Sequence, residues 1–182
     1  IRTEWRVQGV VPGIVEGGGR ASGYFTSATG VTIYRGSAWS KQNCGEVFVA
    51  DVGSNLIHRK RLDDTQGTYT GHRIDDKTEI VTSTDNWFRP VQFVAAPDGS
   101  LLVLDMYRET IEHPHSIPLE LKRHLDLTSG NNRGRIYRLA PKTAQPAKFQ
   151  PLHKLETAAL VKLLEHPDGW HRDTAARLLR QQ

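Results

Sequence analysis

Three short stretches of this sequence hold residue types that can do chemistry. Arg89 stands before Pro90, at the entry to an apolar run. A guanidinium there offers a rigid fork of donors that fits paired oxygens such as a carboxylate. The competing use is structural, with the fork pairing to Asp85 or Asp105 to pin the strand. Asp105, Tyr107 and Arg108 follow the next apolar run. Asp105 can orient a base or hold a cation. Asp51 takes the same place after an earlier run, and a residue needed twice reads more simply as a turn cap. His113 and His115 flank Pro114. A histidine can take a hydroxyl proton because its pKa lies near working pH. With Glu112 the pair also offers three metal-ligating groups; a surface loop is the plainer reading. Trp87 and Phe88 can stack on a flat ligand, but beside a strand entry they read first as packing. Gly17-Gly18-Gly19 lacks the strand, helix and spacing of a phosphate loop.

The elements that would position these groups follow from an internal repeat. Gly45-Glu46-Val47-Phe48-Val49-Ala50-Asp51 aligns with Gly99-Ser100-Leu101-Leu102-Val103-Leu104-Asp105 at an offset of 54 residues. Each copy is a turn glycine, an apolar β-rich run and an aspartate, which predicts strands buried on both faces. Each is followed by a further strand ending in basic residues, at 55–59 and 134–139. Residues 91–96 form a strand before the second copy, closed by the hairpin signal Pro97-Asp98-Gly99. Residues 32–34 take the matching place in the first copy, and 68–74 alternate as an outer strand. Units of three or four antiparallel strands with a period near 50 predict propeller blades. The second unit carries an insertion with a short helix opened by Pro118, on which Leu121 and Leu125 share a face.

The fold class expected is therefore mainly β: a partial β-propeller of about two blades, over residues 1–140, with a C-terminal α-helical hairpin. Proline-rich residues 141–151 read as a linker. Over residues 152–182 the apolar period changes to 3.6. Leu152, Leu155, Ala159, Leu160, Leu163 and Leu164 make one stripe. His166-Pro167-Asp168-Gly169 breaks it before a second helix bearing Trp170, Ala175, Leu178 and Leu179. This is the pattern of one unit of a helical-repeat array.

Composition narrows the classes. The apolar fraction of 37% with 16 Gly fits a turn-rich globular chain and excludes a coiled coil or a disordered tail. No apolar run is long enough for a transmembrane helix. The net charge is +4 and the pI about 9.3, which raises a nucleic-acid reading. Residues 46–140, however, hold twelve basic and fourteen acidic residues. The basic run Arg59-Lys60-Arg61 meets Asp63-Asp64 at once and reads as a solvated strand end, so a nucleic-acid partner is not expected. The lone Cys44 excludes an internal disulfide, a cysteine zinc cluster and a haem-attachment motif in this chain. A start at Ile1 without Met, and an end inside a helical pattern, lead us to expect a piece of a larger protein.

Several segments together are similar to one known family. These are residues 25–36 (FTSATGVTIYRG), 83–90 (STDNWFRP), 105–109 (DMYRE), 111–114 (IEHP) and 133–138 (RGRIYR). They resemble the membrane-bound dehydrogenase family of planctomycetes and verrucomicrobia. The resemblance covers about residues 20–140 and 152–182. It implies a β-propeller similar to soluble glucose/sorbosone dehydrogenases, then HEAT-like helical repeats and, elsewhere in the parent protein, a haem-c domain. It further implies a periplasmic or extracytoplasmic setting and quinone-dependent oxidation of a sugar or alcohol hydroxyl, with electrons passed to the haem. The cofactor would be pyrroloquinoline quinone with calcium. On that reading His113 and Asp105 are catalytic, and Arg89, Tyr107 and Arg108 bind cofactor. Family members often carry Cys where this chain has Ala28. About two blades are present where roughly six are expected. The alternative is a non-catalytic scaffold that binds glycan or protein partners.

Overall fold

A computed structural model describes Phe25 and residues 27–111, 113–144 and 150–182. It is mainly β, with two antiparallel sheets and a C-terminal helical part, the arrangement of a partial propeller-like fold. The first sheet contains β1 (Ala28–Ile33), β2 (Val47–Asp51), β3 (Leu56–Asp64) and β4 (Tyr69–Arg73), in that order. The short β5 (Val81–Thr82) pairs beside β4 on β3. The second sheet contains β6 (Pro90–Ala95), β7 (Leu101–Asp105) and β8 (Arg135–Leu139). Between β7 and β8 lies the insertion, with α1 (Leu119–Lys122). The C-terminal hairpin is α2 (Thr157–Leu163) and α3 (Gly169–Arg180).

The repeat read from the sequence is a repeat of structure. Ala28 pairs with Asp51 and Pro90 with Asp105, so the two units share a register. Each first strand also slips by one residue near its start, between Thr29 and Thr32 and between Pro90 and Gln92. Such a bulge bends the strand and raises its twist. The hairpin at Pro97-Asp98-Gly99 closes as expected. Asp98 Oδ1 accepts from the Ser100 backbone and hydroxyl, and Gly99 takes a φ of 78° that only glycine adopts at little cost.

The core lies between the sheets. Tyr34, Phe48, Ala50 and Ile57 of the first unit meet Phe88, Phe93, Leu101 and Val103 of the second. Phe48 and Phe93 meet edge to face at 6.3 Å. β2 is buried along most of its length, but β7 alternates between buried and half-buried. Cross-strand pairing explains the difference. Phe48 lies opposite Arg59 and Ala50 opposite Ile57; Leu102 lies opposite Arg138 and Leu104 opposite Ile136. The two sets are equivalent, and only the first is covered. Ile57 is 1% exposed and Ile136 66%. Val94, Leu102, Leu104 and Ile136 thus form an apolar face of the kind that β6 and β7 cover in the first unit. Faces of this type drive association. The chain as given is expected to sediment as concentration-dependent oligomers, with Leu104→Arg shifting it to monomer. A wild-type chain that stays monomeric at high concentration would refute this.

Among the described residues the second sheet has three strands, within the three or four expected. Two details differ from the sequence reading. The insertion forms only one helical turn, since Leu119 is 60% exposed and has little to pack against. The stripe beginning at Leu152 is not one helix. Residues Leu152–Lys154 form a 3-10 turn, Leu155 is extended, and α2 starts afterwards. The proline at 151 and the break at Leu155 still let Leu152 pack with Leu160 and Ala175.

The basic run Arg59-Lys60-Arg61 is more than a solvated strand end. Arg59 donates from Nε and Nη2 to both oxygens of Asp75, and from Nη1 to buried Glu46. Arg61 donates to the other Glu46 oxygen. The Arg59 hydrogen bond holds the Asp75 carboxyl below the usual carboxylate range. Cys44 is exposed and unbridged.

Candidate functional site

The predicted site residues gather where the first strand of each unit begins and the second ends. Asp51 Oδ1 accepts from the backbone N–H of Ser27, just before β1, and of Gly53. Asp105 Oδ1 accepts from the backbone N–H of Arg89, just before β6, and of Tyr107. The two aspartates do the same work. Each closes its own turn and ties the end of the second strand to the entry of the first. Both are buried, and among the described residues each has one oxygen, Oδ2, without a hydrogen-bond partner. The turn-cap reading of Asp105 is the one its geometry supplies.

Arg89 is 5% exposed. Its Nε donates to the Arg108 carbonyl (2.9 Å), Nη2 to the Glu109 carbonyl (3.0 Å) and Nη1 to the Val52 carbonyl (2.7 Å). It pins the strand through carbonyls of both units, and its backbone N–H donates to Asp105. Backbone bonds from Met106 N–H to the Arg89 carbonyl, and from Arg108 N–H to the Trp87 carbonyl, lace residues 105–109 against 87–89.

Tyr107 has a φ of 50°, a left-handed conformation that is strained for a bulky residue. The Arg135 guanidinium lies 3.6 Å from its ring centroid, a cation–π contact. Trp87 lies 5.6 Å from the same ring. The insertion holds this loop from below. Arg108 Nη1 donates to the Thr128 carbonyl. A Cβ on Gly130 would stand 2.1 Å from the Tyr107 carbonyl oxygen, so only glycine fits there. Phe88 is a core residue whose ring meets Tyr137 edge to face. Packing therefore accounts for both Trp87 and Phe88.

His113 is exposed. Its Nδ1 accepts from the His115 backbone N–H at 3.3 Å, and the two rings stack. Glu112, the third residue of the possible metal set, lies outside the described residues, as does Gly17-Gly18-Gly19. Among the described residues no three metal-ligating side chains converge. A quinone cradle would need outward-facing donors. Arg89 spends its fork on carbonyls, and Asp105 is sealed behind the turn it caps. Of the predicted cofactor contacts, Tyr107 and Arg108 are the ones left partly exposed.

Sequence reasoning missed three contributors. Asn55, with a φ of 57°, donates from its side-chain amide to the Asn86 and Phe88 carbonyls and fixes the loop before Arg89. A Gly-Ser-Asn turn after Asp51 was the available signal. Thr110 is buried with a hydroxyl that has no partner among the described residues, and Arg135 stacks on Tyr107; neither has a local sequence signature.

Among known proteins, no curated protein and no solved structure matches the chain. One family model does, over residues 3–143, a stretch that includes both sheets and stops short of the helical hairpin. Its description is a domain of unknown function, DUF7133, and this chain belongs to that family.

Proposed function

We propose that this chain is a non-catalytic scaffold unit, two propeller-like sheets with a docked helical hairpin, that holds a glycan or protein partner. The observation that carries this reading is the commitment of Arg89. All three arms of its guanidinium donate to backbone carbonyls, which join the two sheets and the 105–109 loop. A side chain used this way builds a rigid end to the sheets and is not left over for a ligand. The test is titration of the chain with pyrroloquinoline quinone and calcium, followed by dye-linked oxidation over a panel of sugars and alcohols. The expected result is no saturable cofactor binding and no dye reduction. Saturable turnover that is lost in His113→Asn would overturn the scaffold reading.

A second reading keeps the dehydrogenase that the resemblance implies, a quinone-dependent, periplasmic enzyme handing electrons to a haem-c domain. It is favoured by the placement of Tyr107 and Arg108, both partly exposed on one strained loop, with exposed His113 further along the same segment. In that reading Tyr107 and Arg108 would contact the cofactor and His113 would take the hydroxyl proton, while Arg89 and Asp105 would act only by positioning the loop.

A further inference from the structure

The seam between the helical hairpin and the sheets contains two histidines that no part of the functional reading uses. The hairpin is seated on residues 35–39 and on the 97–99 turn. Gly169 N–H donates to the Arg35 carbonyl at 2.7 Å. Asp168 is 1% exposed, and its Oδ2 accepts from both the backbone and the hydroxyl of Ser37. Its Oδ1 caps α3 by accepting from Trp170 N–H. The fit is close, since a Cβ on Gly99 would stand 2.7 Å from Asp168 Oδ2.

The histidines complete this seam in a defined protonation state. His171 Nε2 lies 2.9 Å from the Pro97 carbonyl. A carbonyl only accepts, so the Nε2 facing it carries a proton. The Nδ1 of His171 is buried and has no partner among the described residues. His166 Nδ1 accepts from the Asp168 backbone N–H at 3.0 Å, so that nitrogen is bare. The two rings lie 4.1 Å apart. A proton on His166 Nδ1 removes the acceptor for Asp168 N–H and places a cation against the His171 ring.

We propose that His166, packed on His171, is an acid-sensitive latch, which releases the helical hairpin from the sheets when His166 is protonated. The other charged groups at the seam do not replace it. Asp168 is engaged with Ser37 and Trp170, and Asp173 with Arg35 in a bidentate pair. Arg172 donates to the His166 carbonyl and adds positive charge. On the sheet side, Asp98 is bound to Ser100 and to Arg138 of β8. Burial opposes its charge, but the Ser100 hydrogen bonds and Arg138 outweigh it and keep its carboxyl below the usual range. Burial, then the adjacent His171, holds His166 below its ordinary value, while Asp168 partly opposes this. The sign follows. The docked state binds protons less readily than the released one, so docking is complete above the ordinary histidine value near 6.5 and is lost as pH falls below it.

The test is amide hydrogen exchange on the full chain between pH 7.5 and 5, read at Ser37 and Gly169, with Val49 in β2 as the reference. The control variant is His166→Asn with His171→Gln, which keeps an acceptor for Asp168 N–H and a donor for Pro97 and cannot titrate. Intrinsic exchange slows as pH falls. The latch predicts that protection at the two seam amides nevertheless drops at least about tenfold, while Val49 stays protected and the variant stays docked. Unchanged seam protection overturns the proposal. So does equal loss in the double variant, or loss at Val49 and the seam together.

Discussion

Replacing Arg89 with Met is expected to destabilise the chain by about 3–5 kcal/mol, with most of the side-chain volume retained. The basis is the three carbonyls of Val52, Arg108 and Glu109 that its guanidinium serves. Hydrogen bonds involving a charged group contribute about 1.5–3 kcal/mol each, and three sharing one side chain do not add in full. The measurement is the urea midpoint, with amide signals of residues 105–110 read alongside. The structural role predicts that these signals shift while those of the hairpin amides stay in place. Unchanged stability would mean that the fork is free for a ligand, and the scaffold reading would then lose its main support. Functional side chains are often neutral or costly to stability, so the sign of this one measurement separates the two readings.

The second large effect is a matched pair. Ile57 and Ile136 hold equivalent places, each across from an apolar residue on the second strand of its unit. Ile57→Ala is expected to cost about 2–5 kcal/mol, because it opens a cavity among Phe48, Ala50, Phe93 and their neighbours. Ile136→Ala is expected to cost less than about 0.5 kcal/mol under conditions where the chain is monomeric, because the side chain is already in solvent. Thermal melts at low concentration measure both. The loss at Ile136 should grow with protein concentration if that face is where copies meet. Equal losses at the two positions would show that the sheets do not pack as described.

The legible part of the site was its position on the chain. The repeated aspartates, the Arg-Pro entry and the turn at 97–99 are local signals with local causes, and each fell on the expected strand end. Even the doubt about Asp105 was legible, because Asp51 repeated it. The roles were not legible. Whether Arg89 faces a channel or a set of carbonyls depends on where Val52 lies, and that residue belongs to the other sheet. Tyr107 takes its left-handed φ where Gly130, distant in sequence, packs against its carbonyl. Arg59 and Arg61 looked solvated because Glu46 and Asp75 reach them only once β2 and β3 pair.

The sequence alone determined the β units, their order and register, and the change to helical period after residue 150. Those depend on apolar periodicity and turn chemistry within a few residues of chain. Only the tertiary structure decided which strand faces are covered, and it did so unevenly, burying Ile57 and leaving Ile136 in solvent. It also decided that the helical hairpin, which the proline-rich stretch seemed to set apart, is seated on the sheets by Asp168, Gly169 and His171. The partners there are Arg35, Ser37 and Pro97, and a pattern reading has no means to pair them. Burial and long-range hydrogen bonds are properties of the packed chain, so the commitments of Arg89, Asp105 and the two seam histidines could be read only from the fold.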